Sequence, residues 1–160
     1  MPIQYLIDTR EKLPYPLTPA KPVALPAGDY SVEGYAGIDG PAGITIERKS
    51  LMDLHMCCGR DHERFLGQLR RLAEFNRAFV VVESDPSTIL AIYPEDVKGL
   101  TGRTILKQVC SFSISLGIRF MFASNRRMAA QMTRGLLDAF YRSSYRQELD
   151  QHWEAYHAAK

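Results

Sequence analysis

Gly28-Asp29-Tyr30, a glycine-dotted connection, and then Ile44-Thr45-Ile46-Glu47-Arg48-Lys49-Ser50-Leu51-Met52-Asp53 form the stretch that decides how this 160-residue chain folds. In residues 44–49 the β-branched Ile44 and Ile46 alternate with Thr45 and Glu47. That pattern predicts a strand with its isoleucines in the core and Glu47 leaving it on the other face. Lys49 shares the Glu47 face, because side chains two apart on a strand point the same way, about 6.5 Å from each other. Glycines at 34, 37, 40 and 43 make the intervening stretch a hairpin connection. Such a hairpin can set Asp29 opposite Glu47. Two carboxylates with an ammonium beside them suit a hard divalent cation, Mg2+ or its substitute Mn2+, which takes oxygen ligands and keeps open positions for water and phosphate. Asp29 and Glu47 are the expected ligands. Lys49 is expected to orient the attacking water or stabilise a pentavalent phosphoryl group.

Working outward, residues 2–8 read as a first strand ending at Asp8, with Arg10 and Glu11 just beyond it. Prolines at 14, 16, 19, 22 and 26 exclude a helix and predict a strap laid across the surface from that strand to the hairpin. Ser50 with Asp53 three residues on has the form of a helix cap, so Asp53 is expected to be structural. A helix over 61–76 buries Phe65, Leu69, Leu72 and Phe75 and carries Arg60, Arg64, Gln68 and Arg71 on another face, where a phosphate backbone could lie. Phe79 to Val82 is continuously apolar, as for a strand covered on both faces, and ends at Glu83, which is expected to be structural near the site or a further carboxylate beside it. After a broken stretch with a short piece at 89–93, a helix over 104–116, a core strand over 117–123 and a helix over 127–145 follow. Met128, Met132, Leu136 and Phe140 are expected to form the buried stripe of that last helix. Residues 1–145 make one domain, and 146–160, with Trp153 and Tyr156, make a tail packed on it or at a dimer contact.

Hydrophobic residues at 46% argue for a folded core. The net charge of +2 hides an asymmetry: residues 1–102 hold 11 Lys/Arg against 14 Asp/Glu, and residues 103–160 hold 9 against 4. The acids gather where the metal site is expected, and the positive excess sits in the helical half. Cys57, Cys58 and Cys110 give no disulfide framework, and His55-Met56-Cys57-Cys58 lacks the spacing of a structural zinc site. No apolar run is long enough to cross a membrane, and no signal peptide is evident. A cytoplasmic setting, nuclear in a eukaryote, is the expectation.

Several ordered blocks together carry a resemblance: Ile7-Asp8-Thr9-Arg10-Glu11-Lys12, Gly28-Asp29-Tyr30, Ile46-Glu47-Arg48-Lys49 through Asp53-Leu54, Gly59-Arg60, Gln68-Leu69-Arg70-Arg71-Leu72, and Val80-Val81-Val82-Glu83. The chain resembles the ERCC4-type nuclease domain of XPF-like structure-specific endonucleases over most of its length. The resemblance implies an α/β fold with a restriction-endonuclease-like core, a mixed central β-sheet flanked by helices. It also implies a metal-dependent endodeoxyribonuclease that cuts branched or flap DNA and leaves a 3'-hydroxyl and a 5'-phosphate. Asp29, Glu47 and Lys49 fall on metal and catalytic positions. Asp8, Arg10 and Glu11 line the same cleft, Arg48 completes the signature beside them, and Asp53, Arg60 and Gln68 buttress or border it. Larger members carry a tandem helix-hairpin-helix module that is not evident here, so a separate DNA-binding partner could replace it. The helices over 104–116 and 125–145 are candidate homodimer elements, and no membrane partner is implied. The competing expectation is a catalytically silent scaffold of the same fold that binds branched DNA. A hydrolase of small phosphate esters would need an enclosed specificity pocket.

Overall fold

The computed structural model describes residues 3–37, 43–91 and 100–158. Pro2 of the first predicted strand, Gly40 of the hairpin connection and residues 92–93 of the short piece at 89–93 lie outside the described residues, as does the side chain of Tyr156. Six strands form one mixed sheet in the order β2-β1-β3-β4-β5-β6. They are β1 (Tyr5–Asp8), β2 (Ala20–Val23), β3 (Tyr30–Val32), β4 (Ile44–Lys49), β5 (Arg77–Val82) and β6 (Arg119–Phe122). β1, β3 and β4 pair antiparallel, while β4, β5 and β6 run parallel, as does β2 beside β1. The helices are α1 (Leu51–Cys58), α2 (His62–Leu72), α3 (Pro86–Ala91), α4 (Gly102–Leu116) and α5 (Arg126–Ala158).

Two apolar layers cover the two faces of this sheet. On one, Val80 and Val82 pack with Leu54, Phe65, Leu69, Leu72, Ile105 and Phe112 from α1, α2 and α4. On the other, Ile44, Ile46 and Val81 pack with Tyr5, Tyr15, Tyr30, Ala129 and Leu137, the last two from α5. β4 is therefore enclosed on both sides. The alternation read from its sequence holds, but the conclusion that Glu47 leaves the core does not: Thr45, Glu47 and Lys49 are 0%, 3% and 8% exposed. Periodicity reports which face a residue takes; it cannot report that α1 and α2 close over that face.

Two further expectations need correction and a third gains detail. The proline-rich strap does run across the surface, with residues 14, 16, 18–22, 24 and 26 exposed. Residues 20–23 add a parallel edge strand to β1, with Pro22 at the edge where its missing N–H costs no ladder bond, and Tyr15 and Leu17 are buried. The buried residues of α5 are Ala129, Thr133, Leu137 and Ser144, one position round from the expected stripe, of which Met132, Leu136 and Phe140 are half-buried against the core and Met128 is 44% exposed. Finally, α5 runs on past 145 to Ala158, for residues 136–158 contain neither Gly nor Pro to stop it. Trp153 on that extension is 67% exposed.

Candidate active site

Gly28 opens the site. Its φ is +75°, and a Cβ there would come within 2.1 Å of Thr45 Oγ1, so glycine alone lets the chain pass this close to β4. Asp29 is then stitched between two strands: its N–H donates to Ile46 O at 2.8 Å and its carbonyl accepts from Asp8 N at 2.8 Å. This fixes its carboxylate, whose Oδ2 accepts the Arg48 N–H at 2.7 Å. From β4, Glu47 and Lys49 project to the α2 side. Lys49 Nζ lies 2.5 Å from Glu47 Oε1 and 3.4 Å from Gln68 Oε1, and 5.4 Å from the centroid of the Phe65 ring. Asp8, Arg10, Gly28, Asp29, Glu47, Gln68 and Arg71 line one open cavity of about 210 Å³. A larger cavity, about 310 Å³, lies at the other end of β4 and β5 among Ile44, Arg77 and Phe140 and holds no carboxylate, so chemistry rather than size selects the site.

Asp29 carries the electrostatic tension. Burial, and then the negative charge of Glu47, push its carboxyl up to about 8, against the opposing pull of the Arg48 N–H. Lys49 shows the reverse balance: burial works against its charge, but Glu47 beside it wins and its pKa is raised. Lys49 thus compensates Glu47, and Asp29 is the acid that still calls for positive charge. Among the described residues no three His, Cys, Asp or Glu side chains gather into a cage. Two oxygen donors beside an open cavity are a poor zinc cage but fit a magnesium-type ion, which binds through one or two carboxylates and leaves room for water and phosphate.

The other predicted residues divide into groups. Asp8, 3% exposed, spends its oxygens on Arg10 N, Nε and Nη2 and on Leu25 N, at 2.7–2.9 Å. Burial would raise its carboxyl, yet these bonds hold it below the ordinary range. Its geometry is that of a clamp on Arg10, whose Nη2 also donates to Leu25 O at 2.7 Å. Gln68 and Arg71 reach the cavity, whereas Arg60 and Arg64 are 72% and 80% exposed beside Asp61. Asp53 completes the α1 cap: Ser50 Oγ accepts its N–H at 3.1 Å, and its carboxylate accepts back from Ser50. Arg48 takes the reverse face of the sheet, away from Glu47 and Lys49. Its guanidinium binds Glu83 Oε1 at 2.7 Å and lies 3.6 Å from Glu11 Oε1. Glu11, whose Oε1 also accepts from Leu13 N at 2.7 Å, is close enough to Asp29 for its charge to add to the upward push there.

Two participants in that reverse-face group were not flagged by spacing. Tyr15 and Arg126 both bind Glu83, at 2.9 and 3.0 Å. Tyr15 is one aromatic within a proline-rich strap, and nothing local announces its partner. Arg126 did leave a signal. A basic residue opening a helix opposes the helix dipole, and α5 has no acid in its first turn, which implies an acidic partner elsewhere in the fold. His55 is fully buried with neither ring nitrogen hydrogen-bonded, and burial lowers its pKa; Cys57 and Cys58 are buried beside it on α1.

A sequence model described as the ERCC4 domain matches residues 7–136. Among solved structures, the chain is similar to "XPF from Aeropyrum pernix", with 24% identity and a TM-score of 0.63 over 85% of this chain and 60% of that one. It is also similar to "XPF from Aeropyrum pernix, complex with DNA", with 24% identity and a TM-score of 0.65 over 88% of this chain and 66% of that one. The chain therefore spans about 60 to 66% of the length of those two chains. At this identity the likeness speaks for the fold, which is the restriction-endonuclease-like one. No curated protein gives a significant match.

Proposed function

The chain belongs to the ERCC4 domain family, and from that membership together with the carboxylate pair in its cleft we propose that it is a divalent-metal-dependent DNA endonuclease acting on branched or flap DNA. The observation that carries this reading is the convergence of Asp29 and Glu47 with Arg10, Gln68 and Arg71 around one open cavity, with the Lys49 ammonium bonded to two of its lining residues, Glu47 and Gln68. ERCC4 nucleases are in general divalent-metal dependent, and Asp29 and Glu47 would hold the ion, Mg2+ or Mn2+. When bound, such an ion neutralises phosphoryl charge and acidifies water.

The chain's own groups do the rest. Arg10, gripped by Asp8 through a two-pronged guanidinium–carboxylate pair, presents a preorganised cation at the rim, suited to a phosphate oxygen. Lys49, held by Glu47 and Gln68, has a fixed ammonium that can orient the attacking water and donate to the oxygen on which charge develops. Arg71 extends the positive rim along α2 toward the neighbouring backbone. The open shape of the cavity suits a long polyanion better than a small phosphate ester.

The decisive assay presents labelled linear duplex, single strand, 3'-flap and four-way junction DNA to the protein with Mg2+, with Mn2+ and with chelator. Cutting that requires metal supports the enzyme. Tight binding of branched DNA without cutting would instead support the silent scaffold, and neither binding nor cutting would sink both. Arg71→Ala is expected to weaken binding about equally across these substrates and to lower the slope of log affinity against log salt by about 1. Arg64→Ala, with its side chain turned to solvent and to Asp61, is expected to change that slope less. Fluorescence anisotropy between 50 and 200 mM salt, over which the Debye length falls about twofold, reads both.

A further inference from the structure

Glu83 has no part in the chemistry proposed above, yet it ties together more of the chain than any cavity-lining group. Its side chain is 10% exposed. Oε1 accepts from Arg48 Nε at 2.7 Å, from Tyr15 Oη at 2.9 Å and from Arg126 Nη1 at 3.0 Å, and Oε2 accepts from Arg48 Nη2 at 3.3 Å. Its own N–H donates to Lys49 O at 2.8 Å. Arg126 continues the buckle into the strap by donating to Leu13 O at 2.6 Å and Pro14 O at 3.1 Å. The strap, the end of β4, the end of β5 and the first residue of α5 thus meet at one carboxylate.

The place of this buckle matters more than its size. β4 ends at Lys49, and the chain turns away at once into the α1 cap at Ser50. The last two residues of the strand deliver both the Lys49 ammonium and the Arg48 N–H that holds Asp29 Oδ2. A strand end is where backbone frays unless something holds it. Glu83 holds it twice, by its N–H on Lys49 O and by its carboxylate on the Arg48 guanidinium. We propose that Glu83 is a positioning residue for the Asp29, Glu47 and Lys49 site, acting from the opposite face of the sheet through Arg48. This rests on the reading of those three residues as the metal-dependent site.

Side-chain substitution at 83 leaves its N–H bond to Lys49 O in place, so it isolates the link through Arg48. Three variants separate positioning from mere stability. Glu83→Gln keeps the shape and removes the charge. Arg126→Ala removes the other guanidinium and leaves the Arg48–Glu83 pair. Arg48→Lys keeps the charge and loses the two-pronged grip. Each is compared with the wild type for Mn2+ affinity without DNA, read from the electron paramagnetic resonance of the free ion. Each is also compared for kcat and KM on the DNA that the wild type cuts, at a temperature well below every Tm.

Glu83→Gln and Arg48→Lys are expected to bind Mn2+ about tenfold more weakly and to lose about tenfold in kcat, with KM for DNA little changed. Arg126→Ala is expected to lower Tm and to keep wild-type Mn2+ affinity and kcat. Wild-type Mn2+ affinity and kcat in Glu83→Gln would overturn the proposal, as would equal losses in Arg126→Ala. If Glu83→Gln fails to fold, Arg48→Lys decides: weaker Mn2+ binding supports the link, and unchanged binding refutes it. A wild type that binds no Mn2+ overturns the reading of the site itself, and this inference with it.

Discussion

Asp29→Asn is expected to abolish metal-dependent cleavage, by about 10³-fold or more, and at the same time to make the metal-free protein more stable. The second effect distinguishes a strained functional acid from an ordinary structural one. Burial and the charge of Glu47 raise the Asp29 carboxyl from 3.8 to about 8. Between those values the folded chain holds a proton that the unfolded chain has released, so stability falls as pH rises through that window. At about 1.4 kcal/mol per unit, even half of that displacement is worth on the order of 3 kcal/mol at pH 8. Asparagine keeps an oxygen for the Arg48 N–H and removes the charge. Denaturation with chelator from pH 4 to 8 should show the wild type losing stability where the variant stays level. Mg2+ should then raise the Tm of the wild type, by binding only its folded form, and leave that of the variant unmoved. A variant no more stable than the wild type at pH 8 would mean that Asp29 is not under tension.

The site residues were legible because strand periodicity is rigid. Once residues 44–49 are read as a strand, Glu47 and Lys49 must share a face, and a hairpin return from Gly28 brings Asp29 into register with them. The same rule places Arg48 on the opposite face, although the resemblance set it beside the cleft residues as part of the signature. Burial was the harder quantity. The approach of α2, with Phe65 and Gln68 over Lys49, depends on packing between segments about twenty residues apart, which no local pattern encodes. For the same reason Asp8 read as a member of the cleft while its clamp on Arg10 and Leu25 stayed hidden. The strap offered even less: its prolines excluded a helix, but the partner of Tyr15 lies 68 residues away at Glu83.

Glu47→Ala is also expected to be inactive, but its stability should move the opposite way from that of Asp29→Asn. Lys49 is 8% exposed, and its ammonium is bonded to Glu47 Oε1 at 2.5 Å. Truncating Glu47 leaves that ammonium buried beside only Gln68 and the Phe65 ring, and stranding one partner of a buried pair costs roughly 3–5 kcal/mol. Lys49→Met strands the other partner, since the buried Glu47 carboxylate then loses the ammonium that compensates it. Removing both ends together, in Glu47→Ala with Lys49→Met, takes away the pair and its burial cost at once. The double variant should regain most of the stability that either single one loses. Urea unfolding of all four proteins measures this coupling directly. Additive losses would show that the two side chains do not compensate one another. Kinetics separate the roles that stability cannot: Lys49→Met should lower kcat by about 10²–10³ and change DNA affinity little, because the phosphate-binding rim of Arg10 and Arg71 is intact. If DNA affinity falls in step with kcat, Lys49 is a phosphate anchor and the water or the developing charge is served by another group.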